Sequence, residues 1–152
     1  MSDIKVIRFD NLHDIELPHV FECGQCFRWN ECEDGTYIGV AGGHAAHVSL
    51  EHHEDSSSLI IECTGGSEKY WHSYFDLDTD YGAMKKTLLM GEPKLQTSID
   101  ICHGIRILNQ DYWEVLISFI VSQNNNIPRI KKCIESLAKN YGTEIGEFMG
   151  EV

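Results

Sequence analysis

Ser122-Gln123-Asn124-Asn125-Asn126-Ile127-Pro128-Arg129-Ile130 lies between two helically patterned segments and spends three consecutive asparagines on their junction. Asparagine amides compete with the backbone for hydrogen bonds, so three in a row mark the end of a helix. Ile127-Pro128 then restarts one, with proline in the first turn, where its missing N–H is not needed. The stretch therefore predicts two helices meeting at a corner, with Asn126 placed to cap the second. It also predicts a polar tip on an apolar scaffold. Side-chain amides and the Arg129 guanidinium are groups that form paired hydrogen bonds with nucleobase edges. On these nine residues alone, a plain structural corner and a nucleic-acid contact fit equally well.

Working outward, the helix before the tip carries Trp113, Leu116, Ile117 and Ile120, and Asp111 stands three residues before Glu114 in a capping-box-like start. The helix after it carries Ile130, Cys133, Ile134, Leu137 and Tyr141 as one apolar stripe ending at Gly142. Further upstream, Tyr70, Trp71, Tyr74 and Phe75 keep helical spacing, and Met84, Thr87 and Leu88 repeat it until Gly91. Gly91-Glu92-Pro93 is a connector. The first 65 residues read as short strands instead. Ile4–Phe9 alternates, and Cys26-Phe27-Arg28-Trp29 is expected to place Phe27 and Trp29 on one face of a strand. Glu33-Asp34-Gly35 and Gly42-Gly43 are turn signals, followed by Thr36–Val40 and His44–Leu50, and Leu59–Cys63 comes after a serine-rich loop. A sheet of about five antiparallel strands followed by helices is an α+β order.

The 152 residues suit one domain or two small ones sharing a core. No apolar run approaches a membrane span, and the N-terminus lacks the basic-then-apolar order of a signal peptide. The six cysteines are scattered, which fits reduced thiols and a cytoplasmic protein better than a disulfide framework. A net charge of −12 would repel a phosphate backbone if it were evenly spread. It is not: residues 1–100 hold 18 acids against 7 Lys/Arg, and residues 101–152 hold 6 against 5. Arg129, Lys131 and Lys132 cluster beside the asparagines, so a nucleic-acid surface belongs to the back of the chain, and the isolated chain is expected to bind duplex weakly.

A second stretch decides between the two readings of the tip. Phe21-Glu22-Cys23-Gly24-Gln25-Cys26-Phe27-Arg28-Trp29, followed in order by Tyr74–Tyr81, by Gly104-Ile105-Arg106-Ile107-Leu108 and by Ser122–Ile130, resembles the 8-oxoguanine DNA glycosylases. These form a branch of the helix-hairpin-helix DNA repair superfamily. The resemblance implies an N-terminal α+β domain over residues 1–95 and the first helices of the helix-hairpin-helix domain over 96–152. It implies a double-stranded DNA partner containing 8-oxoguanine opposite cytosine, with no cofactor and no metal.

Gly24 would then distinguish the damaged base. Guanine presents an acceptor at N7 and 8-oxoguanine a donor, so a backbone carbonyl aimed there attracts the second and repels the first. Glycine lets the backbone approach that closely. Asn124 would enter the gap left by the flipped base, and Arg129 would pair with the widowed cytosine. Asn125 and Asn126 are read as scaffold. Tyr112 stands where the family commonly has proline, and Asn109 where a basic residue is common.

The family's catalytic lysine, at the end of a Leu-Pro-Gly-x-Gly-x-Lys-like hairpin, and its following aspartate have no counterpart in these residues. Lys131, Lys132 and Lys139 lie on the helix before it. The chain is therefore read as a fragment with no catalytic residue of its own, and it is expected to be inactive alone. The alternative is a non-catalytic truncated paralogue that packs against a partner supplying the other half.

Three other patterns carry site-like chemistry. Cys23-x-x-Cys26 with His44-x-x-His47 has the ligand types of a zinc knuckle, and the cysteines alone could form a redox pair. Asp76-x-Asp78-x-Asp80 begins like a calcium loop, but Tyr81 takes the glycine position and Thr87 the closing glutamate.

Overall fold

In a computed structural model that describes residues 4–149, the first apolar alternation becomes strand β1, Lys5–Leu12. It pairs with the last strand of the sheet rather than with its neighbour in sequence. β2 is Trp29–Glu31, β3 Tyr37–Ala41, β4 His44–His52 and β5 Ser57–Cys63, in the order β1-β5-β4-β3-β2, with every pair antiparallel. Register is set by the buried face: Ile7 lies opposite Ile61, Phe9 opposite Leu59, and Ile61 opposite Val48. All five of these side chains are buried, and a one-residue slip would turn them to solvent. The expected count of strands and their antiparallel pairing are thus realised.

Helices cover the inner face. Helix α1, Leu17–Phe21, starts with Pro18 in its first turn and buries Leu17, Val20 and Phe21. Helix α2, Glu68–Tyr74, is capped by Ser67, whose side chain accepts from the Tyr70 N–H, and it buries Trp71 and Tyr74. Phe21 stacks on Trp29 at 4.6 Å between centroids and meets Phe75 edge-on, so the core is an aromatic cluster between sheet and helices. The Trp29 indole N–H donates to the Tyr74 hydroxyl at 2.9 Å, satisfying a polar group that burial would otherwise strand. Helix α3, Tyr81–Gly91, is capped by Asp80; after it come a 3-10 turn at Pro93–Leu95 and helix α4, Gln96–Ile101.

Helices α5, Tyr112–Ser122, and α6, Ile127–Tyr141, form the predicted corner. Asp111 caps α5 by accepting from the Trp113 and Glu114 N–H groups, and Asn126 caps α6 by accepting from the Arg129 N–H. One expectation fails at the sheet edge. Cys26-Phe27-Arg28-Trp29 is not a strand, since the extended segment begins only at Trp29. Phe27 and Trp29 do not share a face: Trp29 enters the main core, whereas Phe27 joins a separate cluster with Ile130 and Ile134 of α6. The tail Glu144–Val152 is expected from its sequence to be a loop or the start of another element, and its last residues, Gly150, Glu151 and Val152, lie outside the described residues. Among the described residues, no helix is long and apolar enough to cross a membrane.

Candidate nucleic-acid interface

Between α1 and β2 the chain turns sharply, and Gly24 sits at the turn with φ +85°. A side chain is strained at that angle, although an added Cβ would meet no other atom within 4 Å, so the space over Gly24 is open. The loop is nonetheless firmly held from behind. The Gln25 side-chain amide donates to the Val20 and Arg106 carbonyls, both at 2.8 Å, while its oxygen accepts from the Leu108 N–H at 2.9 Å. The Gln25 backbone carbonyl in turn accepts from the Gln110 side chain at 2.7 Å. Residues 104–110 therefore act as a strap behind the Gly24 turn.

The strap has its own anchors. Gly104 lies so close to Glu16 that an added Cβ would come within 2.3 Å of the Glu16 side chain, and the Glu16 N–H donates to its carbonyl at 3.0 Å. Arg106 is buried and donates to the carbonyls of His13 and Asp76 at 2.8 Å each, of Asp14 at 3.1 Å, and of Thr79. Its guanidinium also lies 4.6 Å from the centroid of the Tyr81 ring. Burial pulls its pKa down, opposed by Tyr81, Asp14, Asp76 and Asp80.

The asparagine tip divides its labour. Asn125 donates to the Val121 carbonyl at 2.9 Å, accepts from the Asn126 N–H, and so closes the end of α5. Asn126 is the α6 cap described above. Asn124 is exposed in the left-handed region, φ +50°, a conformation that asparagine tolerates better than most residues. Arg129 is exposed one turn into α6. The basic cluster expected here is smaller than it looked, because Lys131 turns inward and donates to the Trp29 carbonyl at 2.7 Å. That bond and the Phe27–Ile130–Ile134 contact fix α6 to the segment that follows the Gly24 turn. Arg28 faces Glu114 of α5 at 3.9 Å, and burial pushes the Glu114 carboxyl upward while Arg28 pulls it down.

The rival metal and redox sites are not assembled. Cys23 is exposed, whereas Cys26 is buried and pushed up to about 12 by desolvation, which leaves it a poor ligand and nucleophile. His47 has both ring nitrogens engaged, by Glu62 at 2.9 Å and Thr36 at 2.7 Å. Among the described residues, no group of three or more His, Cys, Asp or Glu is arranged to hold a metal. Asp76 accepts from Thr79 and Tyr81, and Asp80 caps α3, so the calcium-like run is spent on local structure.

The sequence profile of the 8-oxoguanine DNA glycosylase N-terminal domain matches residues 7–116. The chain belongs to the 8-oxoguanine DNA glycosylase family. An N-glycosylase/DNA lyase of Saccharomyces cerevisiae is 31% identical over 152 residues, covering 92% of this chain and 40% of that protein. The N-glycosylase/DNA lyase OGG1 of Arabidopsis thaliana is 26% identical, covering 90% of this chain and 38% of that protein. Among solved structures, MBOgg1 in complex with a low-affinity DNA ligand is 44% identical with a TM-score of 0.86, covering 99% of this chain and 52% of the other. The Clostridium acetobutylicum 8-oxoguanine glycosylase/lyase in its apo form is 40% identical with a TM-score of 0.83, again with 52% of it covered. This member of the glycosylase family thus spans about 40% of the curated relatives and about half of the solved chains.

In this family frame, Gly24, Asn124 and Arg129 are all exposed, on two segments joined through Phe27 and α6. Among the described residues, no hydrogen bond links Gly24 to either of the other two. The reading of the sequence missed Gln25 and Arg106, which hold the turn and the strap. Their signal was limited to their place inside the family-like stretches, because every partner but Val20 lies far away in sequence.

Proposed function

We propose that this chain is the N-terminal part of a base-excision-repair enzyme that flips out and excises 8-oxoguanine opposite cytosine, with an accompanying abasic-site lyase step. Residues 1–95 form its N-terminal α+β domain, residues 96–152 open its helical domain, and it works in the cytoplasm on duplex DNA. The observation that carries the proposal is likeness to the Clostridium acetobutylicum enzyme solved with double-stranded DNA containing cytosine opposite 8-oxoguanine, at 38% identity and a TM-score of 0.81 over 99% of this chain. The three family-matched positions support it, since each is exposed and has its supporting neighbours satisfied.

In this reading, the Gly24 carbonyl accepts from the N7–H that only the oxidised base carries. Asn124 fills the vacated place in the stack, and Arg129 donates to the unpaired cytosine. Bond cleavage by this family's scheme requires a lysine amine that attacks the sugar and forms a Schiff base. No residue within these 152 occupies that role, and the isolated chain neither excises the base nor forms a covalent adduct with abasic DNA in borohydride. An adduct formed by the 152-residue chain would overturn this part of the proposal.

The decisive variant is Arg129→Ala in the full-length protein, assayed on 8-oxoguanine opposite each of the four bases. Preference for cytosine should fall roughly tenfold, the worth of one good bidentate contact, with a smaller loss on the cytosine pair itself. Unchanged selectivity among opposite bases would remove Arg129 from the site.

A second reading, a non-catalytic partner-binding paralogue, is favoured by one observation. Helix α5 leaves Trp113 68%, Phe119 64% and Ile120 58% exposed. Co-purification with a helix-hairpin-helix protein supports this reading, and a well-behaved monomer counts against it.

A further inference from the structure

We infer that Gln25 is a positioning residue that sets the orientation of the Gly24 carbonyl, and with it the preference for the oxidised base. The inference rests on the role proposed above for Gly24. The carbonyl of Gly24 and the N–H of Gln25 belong to one planar peptide unit, so fixing Gln25 fixes the direction in which Gly24 presents its oxygen. Gln25 is fixed at three points. Its amide nitrogen reaches the Val20 and Arg106 carbonyls, its amide oxygen takes the Leu108 N–H, and its own carbonyl takes the Gln110 side chain. Gly24 itself, at φ +85° with open space over its Cα, has no side chain to hold it.

The partners of Gln25 are rigid in turn. Arg106 is tied to four carbonyls spread between His13 and Thr79, and Leu108 is buried in the main core. A glycine chosen for close approach gives up the stiffness that discrimination needs, and the neighbouring glutamine restores it. Guanine and the oxidised base differ at N7 by the sense of one hydrogen bond. A carbonyl free to swing away from that atom neither rewards the donor nor penalises the acceptor in full.

The test is equilibrium binding by the full-length protein to duplexes carrying 8-oxoguanine or guanine opposite cytosine, at one fixed salt concentration. Gln25→Leu should lower the ratio of the two affinities roughly tenfold. Gln110→Ala, which leaves the Gln25 side-chain clamp in place, should lower it less, roughly threefold. Preference among the bases opposite the lesion should stay at the parent value in both, because that reading belongs to Arg129. A folding defect in Gln25→Leu leaves the milder Gln110→Ala to report.

Loss of affinity for both duplexes in equal proportion marks Gln25 as merely structural and overturns the inference, as does an unchanged ratio in Gln110→Ala. A parent protein with no preference for the lesion overturns the role of Gly24, and this inference with it. A parent that prefers the lesion, alongside variants that keep that preference, overturns the inference alone.

Discussion

Arg106 carries its charge into the interior with no carboxylate paired to it among the described residues, and backbone carbonyls from four residues take its N–H groups. Those carbonyls belong to the bend after β1 and to the loop between α2 and α3, so one side chain joins three separate stretches of chain. Replacing it with leucine leaves several buried acceptors without donors. Arg106→Leu should therefore destabilise the fold by roughly 3 kcal/mol, read as a lower urea midpoint with an unchanged slope. A shift below about 0.5 kcal/mol would show that water replaces the guanidinium and that the strap does not depend on it.

At this scale the sequence was legible wherever the chemistry is local. Asp111 and Asn126 cap the helices that their positions announce, because each cap bonds within three residues. Arg106 and Gln25 were not legible as clamps, since most of their partners lie 27 to 93 residues away.

Among the elements, β2 and α6 show what pattern alone leaves open. An alternation such as Phe27 and Trp29 states that both side chains are buried, but not that one surface buries them. The chain is still leaving the Gly24 turn at Phe27, and it delivers that ring to α6 before Trp29 joins the sheet. The helical spacing read at Met84, Thr87 and Leu88 is realised as α3, which ends at Gly91. Met84 and Leu88 are about half exposed, at 51%, so the spacing there announced a helix and not a buried face. The α6 stripe is realised in part: Ile130 and Ile134 are buried, while Tyr141 stays exposed.

Phe27 thus becomes the main apolar link between α6 and the segment following the Gly24 turn. Phe27→Ala should cost about 3 kcal/mol through the cavity it opens. It should also raise amide exchange in the first turns of α6 well above that in β4 and β5. Uniform loosening of the whole fold would show that α6 does not depend on this contact.

Across the whole molecule, charge and architecture separate the sheet from the tip. The sheet end bears the acidic excess, and the α5–α6 corner presents Asn124, Arg129 and Lys132 with Lys131 withdrawn to β2. The α+β order, the five strands and the helical corner could all be read from periodicity and turn residues, because each is a short-range property of the chain. The proposed site was legible only as three positions matched to a family. Its rigidity was not, because that comes from the strap behind Gly24 and from the Phe27 contact.

In the proposed function, the Gly24 turn and the asparagine tip together form the surface that meets damaged duplex. Amide hydrogen exchange of the full-length protein, with and without a duplex carrying 8-oxoguanine opposite cytosine, tests it most directly. New protection is expected at residues 23–26 and 123–130, with β3 and β4 unchanged. Protection confined to the sheet strands, or absent from both the turn and the tip, would contradict it.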